Sequence, residues 1–243
     1  MFIPLLLLAT VGLATSSGPV CSPGGIHFNP PQNLSVITRI PEQIFPAYYN
    51  CSYRINVPKG LFADFWINYQ PLHNTDENSK VVVTDQSNFS ETLTHAIYET
   101  FYFISNGGSI MLTTGISDAT FSIDIFWRKL PTLFAPVSIQ LNASNTEPST
   151  ISVQHAEDAY VITAETRVSI LAIPSIFDFD KVSLRGTYIY DGPTWNSTFL
   201  GSGIQLWASN KQWVSTGNQL TVQFLSSNDI DDRTRIVLQD YEN

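Results

Sequence analysis

Few residues in this chain are of a type that does chemistry, and their spacing limits what they could do. The four histidines, His27, His73, His95 and His155, are scattered, and none stands at ligand spacing to a cysteine or to another histidine, so no zinc-type centre is expected. Asp178 and Asp180 alternate with Phe177 and Phe179. On a strand both carboxylates would share one face, too close together for separate acid and base roles, so the pair reads as a polar strand end. Asp229, Asp231 and Asp232 read as a solvated acidic loop. The chain has no Gly-x-Ser-x-Gly elbow, His-Glu-x-x-His helix, phosphate loop or dinucleotide fingerprint. Gly107-Gly108 and Gly201-Ser202-Gly203 read as hairpin turns rather than phosphate cradles. No catalytic residue, cofactor or metal is assigned, and the chain reads as a non-enzyme.

The two cysteines, Cys21 and Cys51, form a lone pair, and in an oxidising compartment such a pair is bonded. Closing this loop stabilises the fold by about 3–4 kcal/mol on the chain-entropy estimate, and the bond is expected to pin the first half of the chain only. Evidence for that compartment stands at the start of the chain. An apolar run from Phe2 to Leu13 precedes Ala14, Thr15, Ser16 and Ser17, the pattern of a cleaved signal peptide over residues 1–17. The run falls short of the roughly 20 apolar residues that span a bilayer, and no later segment reads as a membrane span. Five glycosylation sequons begin at Asn33, Asn50, Asn88, Asn142 and Asn196, again as in an exported chain. The expected location is extracellular. With 14% charged residues and a net charge of −9, and without a Lys/Arg cluster, nucleic acid is excluded as a partner.

The elements that carry these residues read as strands. Phe121, Ile123, Ile125 and Trp127 alternate with polar residues, as do Leu61, Ala63, Phe65, Ile67 and Tyr69, and Leu220, Val222 and Phe224. Period-two alternation over five to nine residues marks half-buried strands. Prolines and glycines punctuate at short intervals; only Glu91 to Glu99 offers a possible helical turn, balanced against a strand. The fold class expected is all-β, with two tandem antiparallel β-sandwiches of jelly-roll type. The segment from Lys129 to Pro136, with Pro131 and Pro136, interrupts pairing and divides the mature chain into 18–131 and 132–243. The halves echo each other faintly: Tyr53-x-Ile55 matches Tyr160-x-Ile162, and Val83-Thr-Asp85 matches Ile189-Tyr-Asp191.

With these residues in place, the chain resembles the CUB-like family abundant among nematode secreted proteins. In the first half the likeness rests on Cys21, Gly24-Gly25-Ile26, Pro30-Pro31 and the run from Tyr49 through Cys51, Tyr53 and Ile55 to Pro58-Lys59-Gly60. In the second it rests on Phe179-Asp180, Ile189-Tyr190-Asp191-Gly192-Pro193, Leu200 to Gly203, and Ser215 to Phe224. The resemblance implies two CUB-like modules, the disulfide tying an N-terminal arm to a sandwich strand. The departures are the absence of cysteines in the second half and the presence of one pair where two are usual in the first. Many CUB domains hold calcium with three separated acidic side chains. Here Asp180 matches one of them, Ala172 and Ser227 stand near the others, and the first half offers Ser79-Lys80. One carboxylate does not supply the six to eight oxygens that calcium takes, so no calcium site is expected.

The resemblance also implies a non-enzymatic binding glycoprotein in innate immune or stress response, with a protein or glycan ligand, for instance on microbial surfaces. A secreted carbohydrate-active enzyme and a structural matrix component are the alternatives. Among the five tryptophans, Trp127 belongs to a core face and Trp66 sits in a strand, while Trp207 and Trp213 flank a turn. Trp195 lies in the Gly-Pro loop beside the Asn196 sequon, where exposure is expected. The loop from Asp191 to Gly203, centred on Asp191 and Trp195, is the candidate binding surface, because rigid sandwiches bind through loops.

Overall fold

The computed structural model of the protein describes residues 20–72, 78–131, 136–144, 147–153, 159–173, 181–225 and 234–242. The expected signal segment 1–17, His73, His155, Asp178, Asp180, Ser227 and the acidic residues Asp229, Asp231 and Asp232 lie outside the described residues. From the N-terminus the strands are β1 (Ile26–Phe28), β2 (Thr38–Phe45), β3 (Asn50–Ile55), β4 (Leu61–Pro71), β5 (Lys80–Thr84), β6 (Ser90–Leu93), β7 (Ile97–Phe103), β8 (Gly108–Thr113) and β9 (Ala119–Lys129). They form two sheets, ordered β1-β3-β8-β5-β6 and β2-β9-β4-β7. Pairing is antiparallel except between β1 and β3. Alternation places Ala63, Phe65, Ile67 and Tyr69 of β4 inward, with Phe121, Ile123, Ile125 and Trp127 of β9, all buried. They meet Cys51, Tyr53, Ile55, Val81, Ile110 and Leu112 from the other sheet in one core. Glu91 to Glu99 is not helical: it ends β6 and opens β7, since pairing to β5 and β4 claims its backbone.

The second set runs β10 (Val137–Gln140), β11 (Ser149–Ser152), β12 (Ala159–Thr163), β13 (Val168–Ile173), helix α1 (Lys181–Arg185), β14 (Thr187–Asp191), β15 (Thr198–Ser202), helix α2 (Gly203–Ser209), β16 (Trp213–Val214), β17 (Gln219–Phe224) and β18 (Arg235–Asp240). Its sheets are ordered β10-β12-β17-β14-β15 and β11-β18-β13-β16, the same succession as in the first set. The faint sequence echo marks this equivalence. Ile26 pairs with Tyr53 as Val137 pairs with Tyr160, and Val83 pairs with Ile110 as Ile189 pairs with Val222.

Two expected turns are otherwise. Gly107-Gly108 joins β7 of one sheet to β8 of the other, so it is an arch between sheets rather than a hairpin. Gly107 holds φ 66°, and a Cβ there would lie 1.8 Å from the Ile55 carbonyl oxygen. Gly201 and Ser202 end β15, and Gly203 begins α2. The Ser202 hydroxyl accepts from Gln205 N, and the Gln205 Oε1 accepts from Ser202 N, a capping box.

Candidate binding groove at the junction of the sandwiches

The two sandwiches are joined by buried polar contacts as well as by apolar packing. Arg185, at the end of α1, is 5% exposed. Its Nε and Nη2 donate to Glu91 (2.9 and 2.7 Å), its Nη1 to Glu99 and to the Thr100 carbonyl, and its guanidinium lies 4.0 Å from the centroid of the Phe101 ring. Burial works against its charge, but the hydrogen bonds and fields of Glu91 and Glu99 outweigh it and hold its pKa above the ordinary value. Beside it, Gln205 Nε2 donates to Asp85 Oδ2 at 2.9 Å. Burial pushes the Asp85 carboxyl up, although Ser87 N and Phe89 N donate to it. Tyr188 donates its hydroxyl to the Tyr102 carbonyl at 2.9 Å. Phe62, Tyr102 and Ile104 from one side pack with Tyr188, Tyr190 and Leu225 from the other.

This packing opens at one end into a groove of about 300 Å³. One wall belongs to the first sandwich: Lys59 and Gly60 from the turn before β4, Ser105 and Asn106 from the arch after β7, and Gln86 from the β5–β6 hairpin. The turns are locked together, since Asn106 N donates to the Val57 carbonyl and Leu130 N to the Gly60 carbonyl. The other wall is the β14–β15 hairpin, through Tyr190, Trp195, Asn196, Ser197 and Phe199. Tyr190 and Phe199 face each other across the hairpin with centroids 5.6 Å apart. The tip is a tight turn, Ser197 N donating to the Thr194 carbonyl at 3.0 Å. Trp195 is half-buried against the junction cluster rather than fully exposed, because the tip folds back toward the first sandwich.

The groove offers aromatic faces and carboxamides, with Lys59 the one charged side chain lining it among the described residues. Both polar atoms of the Gln86 carboxamide are buried without a hydrogen-bond partner. An unmade bond of this kind costs about 1–3 kcal/mol, so a turn of the Gln86 side chain into the groove, where a ligand bears its own donor and acceptor, would remove that cost. Gln86 was missed in the sequence because a glutamine in a hairpin carries no signal until the opposite wall is known.

The remaining candidates are placed as follows. Cys21 and Cys51 form a disulfide with Cα atoms 5.5 Å apart, tying the arm before β1 to β3. Asp191 does not line the groove; its carboxylate accepts from Thr216 N at 3.0 and 3.1 Å. Asn33, Asn50, Asn88, Asn142 and Asn196 are all exposed, and only Asn196 borders the groove. Trp127 is in the core and Trp66 is half-buried on the outer face of its sheet with Tyr98 and Phe126. Trp207 is on α2, 37% exposed, and Trp213 packs on the second core. Of the positions aligned with calcium ligands, Ala172 is buried in that core and the Ser79 hydroxyl accepts from Gly115 N. Among the described residues no three His, Cys, Asp or Glu side chains gather as a metal site, and no helix is long and apolar enough to cross a membrane. His27 and His95 are exposed.

Residues 140–225 match a domain of unknown function (DUF7592). No curated protein matches the chain. Among solved structures, the CUB1-EGF-CUB2 domain of human MASP-1/3 is similar at 14% identity and a TM-score of 0.34, over 84% of this chain and 98% of that one. The CUB1-EGF-CUB2 domains of rat MASP-1 are similar at 13% identity and a TM-score of 0.32, over 84% and 97%. Residues 16–131 match the model of the CUB-like domain family.

Proposed function

We propose that the protein is a secreted, non-enzymatic glycoprotein of two CUB-like modules, 18–131 and 132–243, that binds a glycan in the groove between them. The observation that carries this reading is the groove: three aromatic side chains, Tyr190, Trp195 and Phe199, line it beside the Gln86 carboxamide, whose buried nitrogen and oxygen make no hydrogen bond. Aromatic faces stack on the apolar faces of sugars and their polar edges stay free for hydrogen bonds, while the near absence of charge suits a neutral ligand. The notion of an immune or stress-response role, with the glycan on a microbial surface, follows from the family resemblance and agrees with this ligand class. The leader, the disulfide and the five exposed sequons support export.

The test is a glycan array probed with the secreted protein and with Trp195→Ala. Saturable binding weakened by about 1–2 kcal/mol or more in Trp195→Ala, with folding intact, supports the groove. Binding left unchanged while the melting temperature falls makes Trp195 a packing residue and overturns the site. Turnover of any glycan on the array returns the carbohydrate-active enzyme.

A further inference from the structure

The Asn196 sequon stands on the wall of the groove it would have to share with a ligand. Asn196 is exposed, follows Trp195 directly and lines the groove with it. The matching hairpin of the first sandwich carries Asn88, which is exposed and does not border the groove. Two hairpins of equal topology thus present two sequons, one over a groove and one over solvent.

N-glycosylation attaches an N-acetylglucosamine. The Asn196 amide nitrogen gives up a proton and bonds to the anomeric carbon of a lipid-diphosphate-linked oligosaccharide, and the lipid diphosphate leaves. The first two sugars so attached each carry an apolar ring face and an acetamide. The groove offers the complement of both: the rings of Trp195, Tyr190 and Phe199, and the Gln86 carboxamide, whose Nε2 lacks an acceptor and whose Oε1 lacks a donor. An amide pairs with an amide through one N–H and one carbonyl each.

We propose that the groove is the seat of the protein's own Asn196 glycan: the chitobiose core folds back onto Trp195, Tyr190 and Phe199, and competes there with external glycans. The inference rests on the reading of the groove as a glycan site and adds its regulation. A sugar tethered at the rim acts at an effective concentration on the order of millimolar, so it excludes weak external ligands and yields to tight or multivalent ones.

The experiment uses the secreted full chain. An endoglycosidase that cuts within chitobiose is applied in native buffer and after denaturation, and release is followed at each sequon by peptide mass spectrometry. Asn196 should be occupied, its native release about ten-fold or more slower than after denaturation, with Trp195→Ala and Gln86→Ala each removing most of the protection, as expected for a tethered contact. Separately, Thr198→Ala, which abolishes the sequon and leaves Asn196 in place, should bind N,N′-diacetylchitobiose in calorimetry at least about ten-fold tighter than the glycosylated chain; Asn196→Gln is the second variant should Thr198→Ala fold poorly. An unoccupied Asn196, or native release as fast as denatured release, overturns the proposal. If the unglycosylated variants bind neither chitobiose nor any glycan on the array, the groove itself is no sugar site, and the function proposed above falls with it. If they bind sugar no better than the glycosylated chain, the groove stands and the tethered competitor falls.

Discussion

The first sandwich and the second reach one strand order with different fillings. In the first, β4 and β9 each run 11 residues, and the core holds Phe45, Tyr53, Phe65, Tyr69, Phe101, Phe103, Phe121 and Trp127, with a disulfide at the edge. In the second the longest strands among the described residues have six residues, and Phe224 is the one ring among the buried core residues described, with the Tyr160 ring packed on it at 5.8 Å between centroids. There, α1 and α2 supply Leu184, Ile204 and Leu206 to the core. Large rings span the space between two long sheets, whereas short strands with small side chains leave a gap that helices close. The order of strands therefore follows from register and turns, and the filling follows what the strands leave open. The difference also decides who holds whom: the helices of the second sandwich carry Arg185 and Gln205 to Glu91 and Asp85 of the first.

Removing the disulfide tests that dependence most strongly. Cys21→Ala with Cys51→Ala should cost about 3–4 kcal/mol, the loop-closure entropy of a bond 30 residues apart, read by denaturant unfolding. The sequence alone suggests that the second sandwich would be spared, but with Arg185 and Gln205 bridging the junction both sandwiches should shift in one transition. Two separate transitions, only the first displaced, would show that the junction does not couple them.

Arg185→Ala sharpens the same comparison. It strips the counter-charge from Glu91 and Glu99, whose side chains are 19% and 28% exposed. Breaking a buried pair costs about 3–5 kcal/mol, and the partial exposure of both carboxylates puts this case near 3. Adding Glu91→Gln and Glu99→Gln should return part of the loss. In the Arg185→Ala background the Gln205–Asp85 and Tyr188–Tyr102 bonds and the apolar cluster remain, so loss of the disulfide should then move the first sandwich further than the second.

How much of this was legible in the sequence depended on the range of the interaction. Alternation in Phe121 to Trp127 and in Leu61 to Tyr69 exposed the strands and their inward faces, because a period of two is local. The echo of Tyr53 and Ile55 in Tyr160 and Ile162 was visible for the same reason. Ser202 and Gln205 have the spacing of a capping box, but the glycines around Ser202 suggested a turn. The loop from Asp191 to Gly203 stood out in the sequence, and it proves to include the β14–β15 hairpin that forms one groove wall; the opposite wall, Gln86 with Lys59 and Asn106, gave no signal, since only the docking of one sandwich on the other brings them there. Arg185 carried no signal either, as its partners lie 86 and 94 residues away.

The smallest effect separates the sandwiches by the sign of a buried carboxylate in each. Asp240, in the second, accepts from Glu165 N, Thr166 N, the Thr166 hydroxyl and Glu242 N. Burial raises its pKa, but these donors outweigh burial and hold it below the ordinary value, so its contribution is lost as pH falls. Asp64, in the first, is 3% exposed, and its Oδ1 has no partner. Burial pushes its pKa to about 6, against the pull of Arg128 at 3.3 Å. A raised carboxyl works in the opposite sense: its contribution is full below the unfolded value near 3.8 and is lost as pH rises through about 6. A shift of this size corresponds to at most about 3 kcal/mol. Asp64→Asn keeps the shape, removes the titration and gives up the Arg128 ion pair, so the net gain at neutral pH should be about 1–2 kcal/mol. Unfolding free energies of the two chains at pH 4 and pH 7.5 supply the test. The variant's advantage should appear only at the higher pH; an equal advantage at both, or none at pH 7.5, would mean that Asp64 is already ionised at little cost.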